Sequence, residues 1–210
     1  MSTFINKDVA CPNCGGTKKL TIISAVNAQE NPELKEKILK ESFFDFECES
    51  CGYKSELTYP TIYHDPKKGF MIGLYRTGSQ GSKVEAPASL KNITKRRVKN
   101  LPELKEKILI FDNSLDDVAI EMVKNSLLEI LKKSFGSDNI KAYFSKLSEN
   151  GIEFAIFFAG DKKAQYHCIK KEVYDNCCEI LRSLNFKEPA DFLRVGPTLA
   201  SDLLNKYKNT

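Results

Sequence analysis

Two short cysteine motifs constrain the fold of this chain more than any other feature of its sequence. In each motif two residues separate the cysteines and a glycine follows the second one. This spacing turns both sulfurs of a motif toward one ion, and the glycine supplies the positive φ that such a turn often requires. A structural Zn²⁺ site with a closed tetrahedral coordination sphere is therefore predicted. Its ligands are Cys11, Cys14, Cys48 and Cys51, from the motifs Cys11-Pro12-Asn13-Cys14-Gly15 and Cys48-Glu49-Ser50-Cys51-Gly52. The alternative is a pair of thioredoxin-like redox motifs, but a glycine after both pairs favours the metal.

Composition limits the class of protein. The chain has 210 residues, of which 41% are apolar, and this is enough for one or two domains with a sizeable core. Four of its seven cysteines lie in the two motifs, and the odd total argues for a reducing compartment. We therefore expect a cytoplasmic protein. The sequence contains neither an apolar run of about 18 residues nor a signal-peptide pattern, which predicts no membrane association.

Positive charge is concentrated in one stretch. The net charge is +4, and residues 83–107 hold eight basic residues against three acidic ones. A basic strip of this kind is typical of a contact with nucleic acid or an acidic partner, and also of an ordinary solvated face. The candidate contact residues are Lys91, Lys95, Arg96, Arg97 and Lys99.

The predicted fold class is α+β, with a four-cysteine zinc ribbon at the N-terminus. Strands are predicted over 20–26, 43–47, 53–59 and 70–75, with a polar turn over 64–69. Asn31 and Pro32 mark the start of a helix that reaches about Lys40, because Asn is a favoured N-cap and Pro a favoured first helical residue. Residues 1–75 are thus expected to form a zinc-ribbon lobe with a helix-bearing insertion between its two motifs.

A second α+β lobe with a small antiparallel sheet is predicted over 93–210, after a loop or hinge over 76–92. Residues 102–109 repeat residues 32–39 and predict a second amphipathic helix. Ser114 resembles the cap of the next helix. A hairpin around Asn150-Gly151 should join strands over 141–147 and 152–159. A strand over 166–169 and helices over 171–184 and 198–207 are expected to follow.

The cysteine motifs and their surroundings resemble the CpXC domain family. The resemblance continues through 26–28, 32–35 and 59–65, and into the second lobe at 104–111 and 115–117. It implies a zinc-ribbon fold and supplies no catalytic residues. Family members commonly have Asp-Asp-Arg where this chain has Asp116-Asp117-Val118.

Two other groups of residues are candidates for chemistry. His64 and Asp65 suggest a general base oriented by a carboxylate, or ligands of a second metal. They also fit a pair that stabilises the turn before Pro66. His167, Cys168, Cys177 and Cys178 suggest a further metal or nucleophilic site. However, Cys177 falls on the apolar face of its helix, and neighbouring residues on a strand point to opposite faces.

A recognition module is the function that the sequence favours. We expect a protein partner first and nucleic acid second. The alternative is an enzyme of unknown reaction that uses His64 and Asp65 in a pocket between the lobes.

Overall fold

The computed structural model describes residues 1–75, 93–161 and 163–209. The predicted hinge over 76–92 and the candidate Lys91 lie outside the described residues. The chain divides into two compact units, one formed by Met1–Lys105 with Ala190–Phe192 and the other by Glu106–Pro189 with Leu193–Thr210. Helices and strands occur in both, so the predicted α+β class is confirmed.

The first unit is built around a mixed five-stranded sheet. Its elements are β1 (Thr3–Ala10), β2 (Thr17–Asn27), α1 (Pro32–Leu39), β3 (Asp45–Glu47), β4 (Lys54–Glu56), β5 (Thr61–Asp65), β6 (Phe70–Leu74) and β7 (Thr94–Val98). The sheet has the order β1-β2-β5-β6-β7, and β3 pairs with β4 in a separate two-stranded sheet. The pairs β2/β5 and β6/β7 are parallel, and the remaining pairs are antiparallel. Helix α2 (Leu101–Asp112) begins in this unit and ends in the second.

Several elements of this unit differ from the sequence expectation. β1 and β7 are strands that the sequence pattern does not reveal. Most of β1 is exposed, and three consecutive basic residues occupy β7, so neither shows apolar alternation. β3 and β4 are shorter than predicted, and His64 lies inside β5 rather than in the turn that follows.

The second unit packs helices on one face of an antiparallel sheet. Its elements are α3 (Asp117–Phe135), β8 (Lys141–Ser148), β9 (Gly151–Phe157), β10 (Gln165–Ile169), α4 (Lys171–Ser183) and α5 (Pro197–Lys208). The strand order is β10-β9-β8, and the hairpin predicted near Asn150 is confirmed, with Ser148 paired to Gly151. Alternate residues of β9, namely Ile152, Phe154 and Ile156, enter the core together with the apolar residues of α3.

A network of charges is buried among the elements of this unit. Lys124 Nζ of α3 lies 2.9 Å from Glu106 Oε1 of α2 and 2.8 Å from Glu121 Oε2. Glu106 Oε1 also accepts a hydrogen bond of 2.7 Å from the backbone N–H of Phe144. The charge of Glu106 is therefore compensated by an ammonium group and a backbone amide, which burial of a carboxylate requires.

Helix α3 begins at a side-chain cap, and the cap is not the one that the sequence pattern suggests. Asp116, rather than Ser114, is the N-cap: its Oδ1 accepts from the backbone N–H groups of Val118 at 2.8 Å and Ala119 at 3.0 Å. Ser114 instead has a φ of 55° in the turn before the helix. The prediction of a Ser114 cap is therefore wrong, because the carboxylate two residues later satisfies two amides at once.

We expect Asp116→Ala to lower the free energy of unfolding by about 1 kcal/mol, the typical cost of losing an N-cap side chain. Asp116→Asn should lower the free energy of unfolding much less, because the asparagine side-chain oxygen still accepts from the same amides. Urea unfolding of both variants measures the difference. Asp138→Ala, at a fully exposed aspartate, is the matched control and should change little. Equal stability of Asp116→Ala and the wild type would contradict the assignment.

Candidate metal centre

Two hairpin ends present the four candidate ligands. Cys11 and Cys14 lie between β1 and β2, and Cys48 and Cys51 lie between β3 and β4. Each loop is closed by the same pair of backbone hydrogen bonds. The N–H of the first cysteine donates across the loop, to Gly16 O or to Tyr53 O, at 2.9 Å in both cases. The N–H of the glycine after the second cysteine donates back to the carbonyl of the first cysteine, at 2.9 Å and 2.8 Å.

The glycines after the cysteine pairs have the backbone conformation that the sequence predicts. Gly15 has a φ of 72° and Gly52 a φ of 69°, the left-handed region that side chains with a Cβ disfavour. The two loops therefore have matching geometry, and each turns its two sulfurs to the same side.

The four sulfurs converge on one point. All four Sγ atoms lie within 4.8 Å of one another. The Sγ atoms of Cys11 and Cys51 are 3.8 Å apart, and so are those of Cys14 and Cys48. A tetrahedral centre with metal–sulfur distances of about 2.3 Å places its sulfurs about 3.8 Å apart. Because these close approaches join different loops, the geometry fits one metal centre better than two separate redox pairs.

Backbone and side-chain donors favour the thiolate form at two ligands. The backbone N–H groups of Cys51 and Ser50 lower the pKa of Cys48 to about 6. The Asn13 amide and then the Tyr53 N–H lower the pKa of Cys51. At Cys14 the Gly16 N–H acts in the same direction, but hydrogen bonding with Cys51, desolvation and hydrogen bonding with Cys48 and Cys11 outweigh it and raise the pKa to about 12. A divalent cation at this centre would displace the thiol protons, because metal ligands bind as thiolates.

The site has one buried side and one exposed side. Cys11 and Cys48 are each 3% exposed and pack with Phe46 and Leu57 in a small apolar cluster. Cys14 and Cys51 are exposed. Two of the four candidate ligands are thus shielded from water, and the other two are accessible to it.

Polar residues around the ligands complete the site, and sequence reasoning missed them. Asn13 Nδ2 donates to Cys51 Sγ at 3.6 Å, which joins one loop to the other. Lys18 of β2 donates to Glu47 O at 3.2 Å and pairs with Glu49 at 2.8 Å, so it also links the two hairpins. The position of Asn13 between two ligands is the one signal in the sequence that points to it.

The family model described as CpXC protein matches residues 9–124, more than half of the chain. The chain therefore belongs to the CpXC family. The matched region contains all four cysteines of the candidate metal centre. No curated protein and no solved structure matches the chain.

The residues of the basic strip differ in exposure, because strand β7 buries some of them and exposes others. Lys95 and Arg96 of β7 are buried, with Lys95 Nζ donating to Ala190 O at 2.9 Å and Arg96 Nη1 donating to Lys95 O at 3.0 Å. Arg97 and Lys99 are exposed. Burial removes two members from the expected continuous surface. A contact of Arg97 and Lys99 with nucleic acid or an acidic partner stays a prediction.

His64 and Asp65 occupy the end of β5, where neighbouring side chains point to opposite faces. Asp65 is buried, accepts from the Lys68 N–H at 3.1 Å and lies 3.8 Å from Lys35 Nζ. Burial lowers the pKa of His64, and the N-terminal ammonium group adds to this, whereas Asp65 opposes it. The aspartate thus holds the turn that follows, and an enzymatic role for the pair stays a prediction.

The remaining cysteines do not converge on a second centre. Cys177 is buried on α4, and burial followed by the neighbouring Cys178 raises its pKa to about 11, as for a packing residue. His167 pairs with Phe154 and Cys168 with Glu153, so the two side chains lie on opposite faces of the sheet. Within the described residues, no second group of three or more His, Cys, Asp or Glu ligand atoms comes together. No helix in this described part is long and apolar enough to cross a membrane.

We expect Asn13→Ala to weaken metal binding by about tenfold, because groups that hydrogen-bond to ligands typically contribute about 10- to 100-fold to affinity. Competition with a chromophoric chelator measures the change. Asn6→Ala is the matched control, since Asn6 accepts a hydrogen bond from Thr21 on the same hairpin and lies in β1, outside the cysteine loops. Equal affinities for Asn13→Ala and Asn6→Ala would show that the Asn13 amide does not support the ligand.

Proposed function

We propose that this protein is a recognition module whose first unit is held by a structural Zn²⁺ ion in a zinc ribbon. The ribbon consists of the β1–β2 and β3–β4 hairpins, with the metal joining their ends. The observation that carries this proposal is the convergence of four thiols, from two loops of matching geometry, at tetrahedral spacing. Four protein ligands leave no open coordination position, so such an ion stabilises the fold and performs no chemistry of its own.

Protein purified under reducing conditions should contain one zinc ion per chain by elemental mass spectrometry. Cys48→Ser should lose most of the metal and unfold at a lower temperature, because binding free energy at a structural site is folding free energy. A chelator should lower the unfolding temperature of the wild type in the same way.

Cys168→Ser is the matched control, since Cys168 is exposed and lies on β10. It should keep both the zinc content and the unfolding temperature. A zinc content far below one per chain, or an iron content of one, would overturn the identity of the ion. Full stability of Cys48→Ser would overturn its structural role.

An exposed apolar patch on the β1–β2 hairpin supports a protein partner. Phe4 is 53% exposed and Ile5 is 41% exposed. They pair across the hairpin with Ile23 and Ile22 respectively, so apolar side chains adjoin on both faces. Each face of the hairpin therefore carries one exposed apolar pair, and adjoining exposed apolar side chains mark protein contacts more often than isolated ones do. The partner that fits is a protein that contacts both faces of this hairpin end and buries Phe4 and Ile5.

The double variant Phe4→Ser/Ile5→Ser should lose its specific partner in a quantitative affinity purification, while keeping its zinc content and unfolding temperature. Val173→Ser is the matched control, because Val173 is equally exposed at 41% but lies on α4. It should retain the same partner. If the double variant and Val173→Ser recover the same proteins in the same amounts, the hairpin is not the contact surface.

A further inference from the structure

The outer face of the second unit's sheet carries a group of aromatic side chains. Tyr166 of β10 and Tyr143 of β8 both pair with Ala155 of the central strand, so one row across the sheet reads Tyr-Ala-Tyr. Phe157, two residues from Ala155, lies on the same face, and its ring centroid is 6.1 Å from that of Tyr143. The core residues Phe154 and Ile156 occupy the opposite face. We call Tyr143, Ala155, Phe157 and Tyr166 the aromatic sheet face.

These rings are accessible. Tyr166 is 63% exposed, and Tyr143, Ala155 and Phe157 are partly exposed. Neighbouring strands lie about 4.8 Å apart, so the backbones of Tyr143 and Tyr166, on either side of the central strand, are about 10 Å apart. Between them lies Ala155, whose side chain is a single methyl group. A planar ring can therefore approach the sheet between them.

Basic residues surround the aromatic sheet face. Lys141 pairs with Phe157, and Lys146 pairs with Glu153 on the same side of the sheet. Lys170 directly follows β10, and strand alternation places it on the same face as Tyr166. Lys170, Lys141 and Lys146 are all exposed. The one carboxylate in these rows, that of Glu153, is bonded to Ser145 Oγ at 3.0 Å and lies 3.6 Å from Lys146 Nζ. The face thus combines rings with an excess of positive charge.

We propose that the aromatic sheet face binds single-stranded nucleic acid, with bases stacked on Tyr143, Phe157 and Tyr166 and phosphates near Lys141, Lys146 and Lys170. Aromatic rings accept any unpaired base, and flanking ammonium groups attract the phosphates that join the bases. A duplex keeps its base faces stacked inside and cannot offer them to a sheet. The positive charge at the rim favours this polyanion over an apolar protein segment. This site shares no residue with the hairpin surface proposed above.

Fluorescence anisotropy of the zinc-loaded full chain with labelled ten-nucleotide single-stranded RNA, the matching DNA, and the duplex tests the proposal. Single strands should bind at about 50 mM salt, and the duplex should bind at least about tenfold more weakly. Preference between RNA and DNA identifies which single strand the face recognises. Three phosphate contacts predict that log K falls with log salt with a slope of about −2.

Tyr166→Ala should weaken single-strand affinity by about five- to 150-fold, the range for the loss of one stacked base, and Tyr166→Phe should retain it. Tyr207→Ala on α5, which removes another exposed tyrosine, is the matched control and should have no effect.

Because Cys168 lies on the same side of the sheet as the aromatic sheet face, bound oligonucleotide should also slow alkylation of Cys168, as followed by peptide mass spectrometry. Phe4→Ser/Ile5→Ser should leave oligonucleotide affinity unchanged, so failure of the hairpin proposal can be distinguished from failure of the nucleic-acid proposal.

Three results would overturn the proposal. One is the absence of binding to either single strand at low salt. The second is equal affinity of Tyr166→Ala and Tyr207→Ala. The third is loss of a protein partner in Tyr166→Ala when no oligonucleotide binds, which would assign the face to protein recognition.

Discussion

The first unit depends on the convergence of four thiol groups from distant parts of the chain. The sulfurs that approach to 3.8 Å are separated by 34 residues in one pair and 40 in the other. Between them lie β2, α1 and β3, and a small apolar cluster formed by Cys11, Phe46, Cys48 and Leu57 packs at the site. Closing such a long loop costs conformational entropy, and burial of Leu34, Ile38 and Phe44 in the intervening segment offsets part of it. The proposed metal–thiolate centre would add cohesion where the two loops meet, and the glycines at positive φ allow both loops to reach that point.

The second unit is stabilised by apolar burial, and its charged side chains are paired where they are buried. Glu106 compensates Lys124 while accepting the Phe144 N–H, which joins α2, α3 and β8 through one carboxylate. Lys107 and Asp117 form a second buried pair at 2.7 Å. Breaking a buried pair typically costs about 3–5 kcal/mol because the remaining charge is left in an apolar environment. The network therefore fixes how the two helices meet the sheet without adding much stability over an apolar replacement.

The parts that sequence reasoning predicted are those whose chemistry is local. The spacing of the cysteines and the following glycines determines the loop geometry, so the four candidate ligands could be identified from neighbours in sequence. The hairpin near Asn150 and the helix beginning at Pro32 are similarly local. In contrast, Lys95 and Arg96 belong to a strand only because β6 pairs with β7, and a run of basic residues gives no sign of that pairing. The cap at Asp116 and the tyrosine row across Ala155 likewise depend on backbone geometry and strand register, which no single stretch of sequence contains.

Each unit exposes apolar side chains on surfaces that lie outside its buried core. The β1–β2 hairpin is paired along its length, and Phe4 and Ile5 are accessible at the end opposite the cysteine loop. A sheet whose inner face holds Phe154 and Ile156 against the core gains little stability from aromatic rings on the opposite face. Aromatic side chains exposed to water carry a cost in solubility, so their presence on faces that the fold does not require argues for contacts with other molecules. In both units the proposed recognition surfaces thus lie on faces that the core does not use.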